Sequence, residues 1–232
     1  FVLSLQAARG RPMGLLHDSQ VRWFLAIVVA IMAIISLSLF LTHDMPLGAS
    51  IRAATFNGVS IVTGTGYATA AFDNWGSFAL IVFFVIMFIG GCAGSTTCGI
   101  KIFRFQVLYA IATMQTKRLL QPHGVFIPHY NRNPITEEIA LSVLGFVFFY
   151  ILVFILLALG LSTLGLDFLT SLSGAATAIS NVGPGLGPVI GPGGTFADLP
   201  DAAKWMLSAG MLLGRLELFT VLVILTPAFW RS

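Results

Sequence analysis

About 14 largely apolar residues, Ala49 to Val62, lead into Thr63-Gly64-Thr65-Gly66-Tyr67-Ala68-Thr69, between two long apolar segments. Crossing the hydrocarbon core of a bilayer takes roughly 20 residues of helix. This stretch is too short to cross, so it predicts a re-entrant helix that stops at membrane depth. Such a break is tolerated only where protein or water covers the freed backbone. In the loop that follows, two glycines alternate with hydroxyl residues. Glycine adopts dihedrals closed to other residues, so consecutive carbonyls can face one way. Carbonyls stacked around an axis can replace the hydration shell of a cation. Ser180-Asn181-Val182-Gly183-Pro184-Gly185 is a second stretch of the same kind, after a second short helix from Phe168 to Ser180. The candidate filter residues are therefore Thr65, Gly66, Val182 and Gly183, flanked by Thr63, Gly64 and Asn181.

The remaining residues suit a bilayer. The 232-residue chain is 57% hydrophobic and 9% charged, against about 25% charged in soluble domains. A net charge of +3 gives no reason to invoke nucleic acid. Cys92 and Cys98 sit in an apolar stretch and do not make a disulfide framework. Phe1 stands where a start methionine is expected and no signal-peptide pattern precedes the first span, so the chain reads as part of something longer.

Taken in order, residues 1–22 form a basic segment. Residues 23–104 form a first unit: a span from Trp23 to Thr42, the short helix and loop, and a second span from Gly76 to Arg104. Ile89 to Lys101 interrupts that second span with glycines, Ser and Thr, which makes a poor continuous helix. Residues 105–134 hold Lys117, Arg118, His123 and His129 and read as a helical extension with a short hairpin or loop outside the membrane. Residues 135–232 form the second unit. It has a span from Ile139 to Leu161, the short helix from Phe168, an irregular loop from Pro184 to Pro200, and a span from Ala202 to about Trp230 with Arg215 and Glu217 in its interior. Nine of the twelve Lys and Arg residues fall on one side of this arrangement. The positive-inside rule makes that side cytoplasmic, with both termini on it. Asp44, Asp73, Asp167, Asp198 and Asp201 collect on the other side, where acidic charge raises the local cation concentration.

The order of span, short helix, glycine loop and span occurs twice in the same orientation. Gly66 and Gly183 lie 117 residues apart, and Lys101 and Arg215 follow them at similar distances. The fold class is all-α integral membrane, with two parallel span–pore-helix–span repeats of the potassium-channel kind. Two repeats make half of a four-repeat pore.

Four blocks carry a family resemblance: TGTGYAT at 63–69, GGCAGSTTCGIK at 90–101, SNVGPGLGP at 180–188 and GRLELFT at 214–220 ahead of Pro227-Ala228-Phe229-Trp230. Together they resemble the Trk/Ktr/HKT superfamily of potassium transporters, most closely the bacterial TrkH/TrkG branch, over essentially the whole chain. The resemblance implies potassium uptake, with potassium as the ion bound at the filter residues and no covalently bound cofactor. Gly66 and Gly183 match the single filter glycine of each repeat. Gly90, Gly91, Gly94, Ser95, Gly99 and Lys101 match an intramembrane gate, and Arg215 matches a basic residue projecting into the same constriction. Cys92 and Cys98 depart from the small residues expected there. The chain corresponds to the third and fourth repeats. The implied partners are two further repeats on the same or another polypeptide, a second copy in a homodimer, and a cytoplasmic nucleotide-binding regulatory ring. The implied location is the bacterial inner membrane.

Two other readings stand beside this one. A membrane-embedded enzyme acting on lipid-linked substrates needs acid–base groups or a metal cluster at depth. Only Lys101, Arg215 and Glu217 lie there, and the four dispersed histidines have no helical ligand spacing. A structural subunit of a transport complex would use the glycines for packing alone. Channel-like passage and ion-coupled symport are both compatible with the sequence.

Overall fold

The computed structural model describes residues 18–232, except 44, 132, 217–218, 221–222, 224–228 and 231–232. Most of the basic segment, together with Asp44, Arg132, Glu217, Pro227, Ala228 and Arg231, lies outside the described residues. Helix α1 spans Ser19–Thr42, and the Asp18 carboxylate caps it by accepting from the Gln20 amide at 2.8 Å. Helix α2 spans Leu47–Val62, and α3 spans Gly76–Ile86. Helix α4 spans Ile102–Leu120. A two-residue antiparallel hairpin follows, β1 (His129–Tyr130) against β2 (Asn133–Pro134), in the register His129 to Pro134. Helix α5 spans Glu137–Thr163, α6 spans Phe168–Ser180 and α7 spans Asp201–Arg215.

Helices α1 and α5 are the two long and apolar enough to cross a membrane among the described residues. Both leave most of their apolar surface uncovered, as lipid-facing helices do. Leu37 and Leu41 on α1 and Leu141 and Phe148 on α5 are exposed. Helix α4 is 19 residues long but too polar to pass as a span, and the other helices are shorter, at 11 to 16 residues. At about 1.5 Å per residue, the 16 residues of α2 reach about 24 Å.

Two cores organise the chain. The first joins α1, α2 and α3 around Ile35, Leu39, Phe72 and Phe83, with the Phe72 and Phe83 rings stacked at 4.2 Å. The second joins α5, α6 and α7 around Leu161, Ile179 and Leu207. Aromatic side chains link them: Phe88 lies 5.1 Å from Phe154 and 6.3 Å from Tyr150. A smaller cluster of Val107, Ile135 and Val143 ties α4 to the start of α5.

The first, third and re-entrant segments fall close to their expected limits, and the hairpin falls within 105–134. Helix α4 runs across the 104/105 division. The last span differs. The expected span runs from Ala202 to about Trp230 with Arg215 inside it; α7 stops at Arg215, Leu216 caps it, and Phe219, Thr220 and Val223 are helical again beyond the break. At the break the Gly214 backbone presses directly on the carbonyl of Ile179, a closeness that a side chain at 214 would forbid. Arg215 therefore sits at a helix end, where its side chain can turn aside to another loop.

Candidate functional site

Each short helix holds its loop by accepting the amide of the residue just before the loop's central glycine. At the end of α2, the Ser60 carbonyl accepts from Thr65 at 2.9 Å and from Gly66 at 3.4 Å. The Thr63 hydroxyl donates back to Val59 at 2.7 Å and bonds the Thr65 hydroxyl at 2.8 Å. At the end of α6, the Thr177 carbonyl accepts from Val182 at 3.1 Å, and the Thr177 hydroxyl accepts from Gly183 at 3.0 Å. Asn181 takes the left-handed conformation, φ 51°, that ends α6.

The two loops meet. A Cβ built on Gly66 would lie 2.6 Å from the Val182 carbonyl oxygen and 3.4 Å from the Gly183 Cα. One built on Gly183 would lie 3.1 Å from the Gly66 Cα. Gly66 has φ +78° and Gly183 φ +123°, conformations unsuited to L side chains. Glycine is thus required twice at one junction, for conformation and for space. Gly64 faces the Asn181 carbonyl in the same way, with a Cβ 3.5 Å from it.

Beside this junction, the run from Gly90 to Lys101 folds back on itself. Gly90 donates to Ile100 at 2.9 Å and Ile100 donates to Phe88 at 2.9 Å, forming an isolated bridge. Gly90 and Gly99 lie at this close crossing. Gly91 donates to the Thr97 hydroxyl at 3.0 Å, and that hydroxyl bonds Ser95 at 2.6 Å. Gly94 sits at the open tip, with nothing near its Cβ position. The loop is pinned from outside by Arg215 and Gln20 and from within by Lys101. Arg215 donates to the Thr96 carbonyl at 2.7 Å and approaches the Cys98 sulfur at 3.7 Å. Lys101 donates to the Ser95 carbonyl at 3.3 Å. The Ala93 amide donates to the Gln20 side chain at 2.7 Å.

A cavity of about 200 Å³ lies between this loop and the second core, lined by Thr96, Cys98, Lys101, Arg104, Tyr150 and Arg215. Arg104, read from sequence only as the end of a span, is buried with its guanidinium 3.5 Å from the centre of the Phe146 ring. Thr97 connects the two regions, its methyl 3.9 Å from the Cβ position of Gly64.

All seven expected filter residues therefore come together, and the gate residues fold into one loop beside them, with Arg215 as its fastener. Asp73 is less open than a residue of a solvated acidic mouth. Its Oδ1 is buried without a partner among the described residues, and its Oδ2 faces the loop at Gly191. Sequence reasoning missed Asn57, Ser173 and Thr177, which bond the two glycine loops, and Gln20 and Thr97, which bond the loop from Gly90 to Lys101. The signal was available for the first three. A polar side chain in an apolar helix needs a hydrogen-bond partner once buried.

A family model described as "Cation transport protein", TrkH, matches residues 6–232. The chain belongs to the TrkH family. Among its relatives, the Trk system potassium uptake protein TrkI of Halomonas elongata is 51% identical over 233 residues, covering 100% of this chain and 47% of its own length. The Trk system potassium uptake protein TrkH of Vibrio parahaemolyticus is 39% identical over 217 residues, covering 93% of this chain and 44% of its own length. The crystal structure of the potassium transporter TrkH from Vibrio parahaemolyticus superposes with a TM-score of 0.90 at 35% identity, covering 99% of this chain and 48% of that one. This chain spans about half the length of the relatives it matches, and the half is the C-terminal one. TrkH proteins are membrane transporters, which leaves the enzyme reading without support.

Proposed function

We propose that this chain supplies two of four parallel repeats around a potassium pore, and that Thr65, Gly66, Val182 and Gly183 form half of its filter. The observation that carries this is the backbone meeting of Gly66 with Val182 and Gly183 at the ends of two short helices. The hydrogen bonding supports the repeat. The Ser60 and Thr177 carbonyls accept the amides just before the glycines, at Thr65 and Val182, and both pairs are 117 residues apart, as are the two glycines. A potassium ion entering the filter exchanges water for carbonyl dipoles at little net cost.

Passage then leads past the loop at Gly90, Gly91, Gly94, Ser95, Gly99 and Lys101. Arg215 acts twice there. Its hydrogen bond to Thr96 holds the loop beside the filter, and its charge raises the barrier to a cation leaving the filter. Opening requires the loop to leave Arg215. Residues 1–22 and 105–134 belong to the cytoplasmic face of a bacterial inner membrane, with both termini on that side. Residues 23–104 and 135–232 are the two pore repeats. Two further repeats complete the ring, a homodimer carries a cytoplasmic nucleotide-binding regulator, and potassium is the transported ion. These partners rest on the family resemblance.

The test is monovalent cation flux into proteoliposomes containing the complete polypeptide, with Gly66→Ser beside the unaltered protein. Potassium flux is expected to exceed sodium flux, and Gly66→Ser to erode that preference. Selectivity that ignores Gly66 would reduce the loop to architecture and return the structural-subunit reading.

A further inference from the structure

Two buried side chains bond the outward-running part of each glycine loop from behind. Asn57 on α2 and Ser173 on α6 are both wholly buried. The Asn57 side-chain oxygen accepts from the Thr69 amide at 3.0 Å, and its nitrogen donates to the Ala53 carbonyl at 2.8 Å and to the Thr69 hydroxyl at 3.2 Å. The Ser173 hydroxyl donates to the Leu169 carbonyl at 2.7 Å and accepts from the Leu186 amide at 2.9 Å. Thr69 follows Gly66 by three residues, and Leu186 follows Gly183 by three. Each filter glycine is thus suspended between two anchors on its own short helix. One is the carbonyl of Ser60 or Thr177 near the helix end. The other is the side chain of Asn57 or Ser173 one turn further back.

We propose that Asn57 and Ser173 are positioning residues that set ion selectivity, by fixing the far end of each filter loop to its helix. The proposal rests on the filter reading above. Neither side chain offers its oxygen to the ion, because those oxygens are already committed to Thr69 and Leu186. Their effect passes through the backbone. Where cavity size sets selectivity, a filter prefers potassium only while its carbonyls resist closing around smaller sodium. An anchor on one side of the glycine alone leaves the loop free to close. An anchor on each side fixes the spacing. The two anchors differ chemically, an amide in the first unit and a hydroxyl in the second, yet both engage the residue three beyond the glycine. Packing alone would not require that correspondence.

The experiment measures potassium and sodium flux and thermal stability for the complete polypeptide carrying Ser173→Ala, Asn57→Leu, Thr69→Val or Thr69→Ser, with Gly66→Ser as the reference. Ser173→Ala removes only a hydroxyl, and Thr69 is exposed, so both substitutions are tolerable to folding. Ser173→Ala and Asn57→Leu are each expected to lower the potassium-to-sodium ratio by about fivefold, the scale of one hydrogen bond, mainly by raising sodium flux. Thr69→Val is expected to lower the ratio by less, and Thr69→Ser to preserve it. If Asn57→Leu fails to fold, Ser173→Ala and the Thr69 pair decide. An unchanged ratio in Ser173→Ala and Thr69→Val, with or without lost stability, overturns the proposal while Gly66→Ser still erodes selectivity. If Gly66→Ser also leaves the ratio unchanged, the filter reading itself fails.

Discussion

The two glycine loops reach similar geometry from different surroundings. Ten of the 13 residues of α6 are buried, against seven of 16 in α2, so the second loop emerges from an enclosed helix and the first from a partly open one. Leu47, Ile51 and Phe56 on α2 remain exposed. The anchoring differs accordingly. In the second unit the Gly183 amide donates to the Thr177 hydroxyl, and the Asn181 side chain donates to the Met211 carbonyl at 3.0 Å. In the first unit the Gly66 amide reaches the Ser60 carbonyl at 3.4 Å, while the Ser60 hydroxyl is buried with no partner among the described residues. Corresponding positions therefore share a backbone route without sharing side-chain chemistry.

The sharpest way to test that likeness is to add one carbon to each glycine. Alanine at 66 would bring its Cβ within 2.6 Å of the Val182 carbonyl, which has no soft way to retreat. Alanine at 183 meets its nearest neighbour at 3.1 Å, although φ +123° strains it as well. Gly66→Ala is expected to reduce the potassium-to-sodium flux ratio by more than about tenfold, the equivalent of roughly 1.4 kcal/mol, and Gly183→Ala by less. The reverse order would mean that the conformation at Gly183 matters more than the contact at Gly66.

The anchoring difference makes a paired prediction. Thr177→Val keeps the shape but leaves the Gly183 amide without its acceptor, at a cost of about 1–3 kcal/mol. Ser60→Ala removes a buried hydroxyl that has no partner among the described residues, so no hydrogen bond is lost and the cost is expected to be smaller than that of Thr177→Val. Thermal unfolding of the purified protein reads both. Equal losses would show that Ser60 makes a bond in the complete protein comparable to that of Thr177.

The cations behind the two loops differ in the same sense. Arg215 holds Thr96 at 2.7 Å, whereas Lys101 holds Ser95 at 3.3 Å from within the loop itself. Potassium flux is expected to rise several-fold in Arg215→Ala, by up to the tenfold that about 1.4 kcal/mol represents, and less in Lys101→Ala. Unchanged or reduced uptake in Arg215→Ala, at normal expression, would remove its role as a latch.

How far the sequence foretold this arrangement depended on what set each feature. Helix length against bilayer thickness exposed α2 and α6 as too short to cross, and glycine spacing marked Gly66 and Gly183. Those are local properties. The stop of α7 at Arg215 was not legible, because it lies where the Gly214 backbone meets Ile179, a contact between distant segments. Ser173 was not legible either, since composition does not reveal that its hydroxyl meets Leu186. Arg104 was hidden for a similar reason: its partner, the Phe146 ring, belongs to α5. Gly66 and Gly183 were legible one at a time, but their meeting was not, because neither loop's sequence specifies what it touches.

The smallest expected difference lies where the short helices begin. Asp167 caps α6, accepting from the Thr170 amide at 3.1 Å, whereas α2 starts at Pro46 without a side-chain cap. The Thr170 hydroxyl beside the carboxylate, then the Thr170 amide, favour the charged form and hold the Asp167 carboxyl below its ordinary range. Of the two, only the amide makes a well-aligned bond. A carboxylate whose pKa is lowered by folding stabilises the fold above its unfolded value, about 3.9. That contribution is lost as pH falls through the folded value. Asp167→Ala is expected to cost about 1 kcal/mol at neutral pH. Asp167→Asn keeps a capping oxygen and should lose only the charge-dependent part. Melting curves of the native and Asn forms should therefore differ at pH 7 and converge as the pH is taken below the folded value. A gap that persists there would assign the cap's worth to shape, and the start of α6 would then differ from that of α2 in geometry alone.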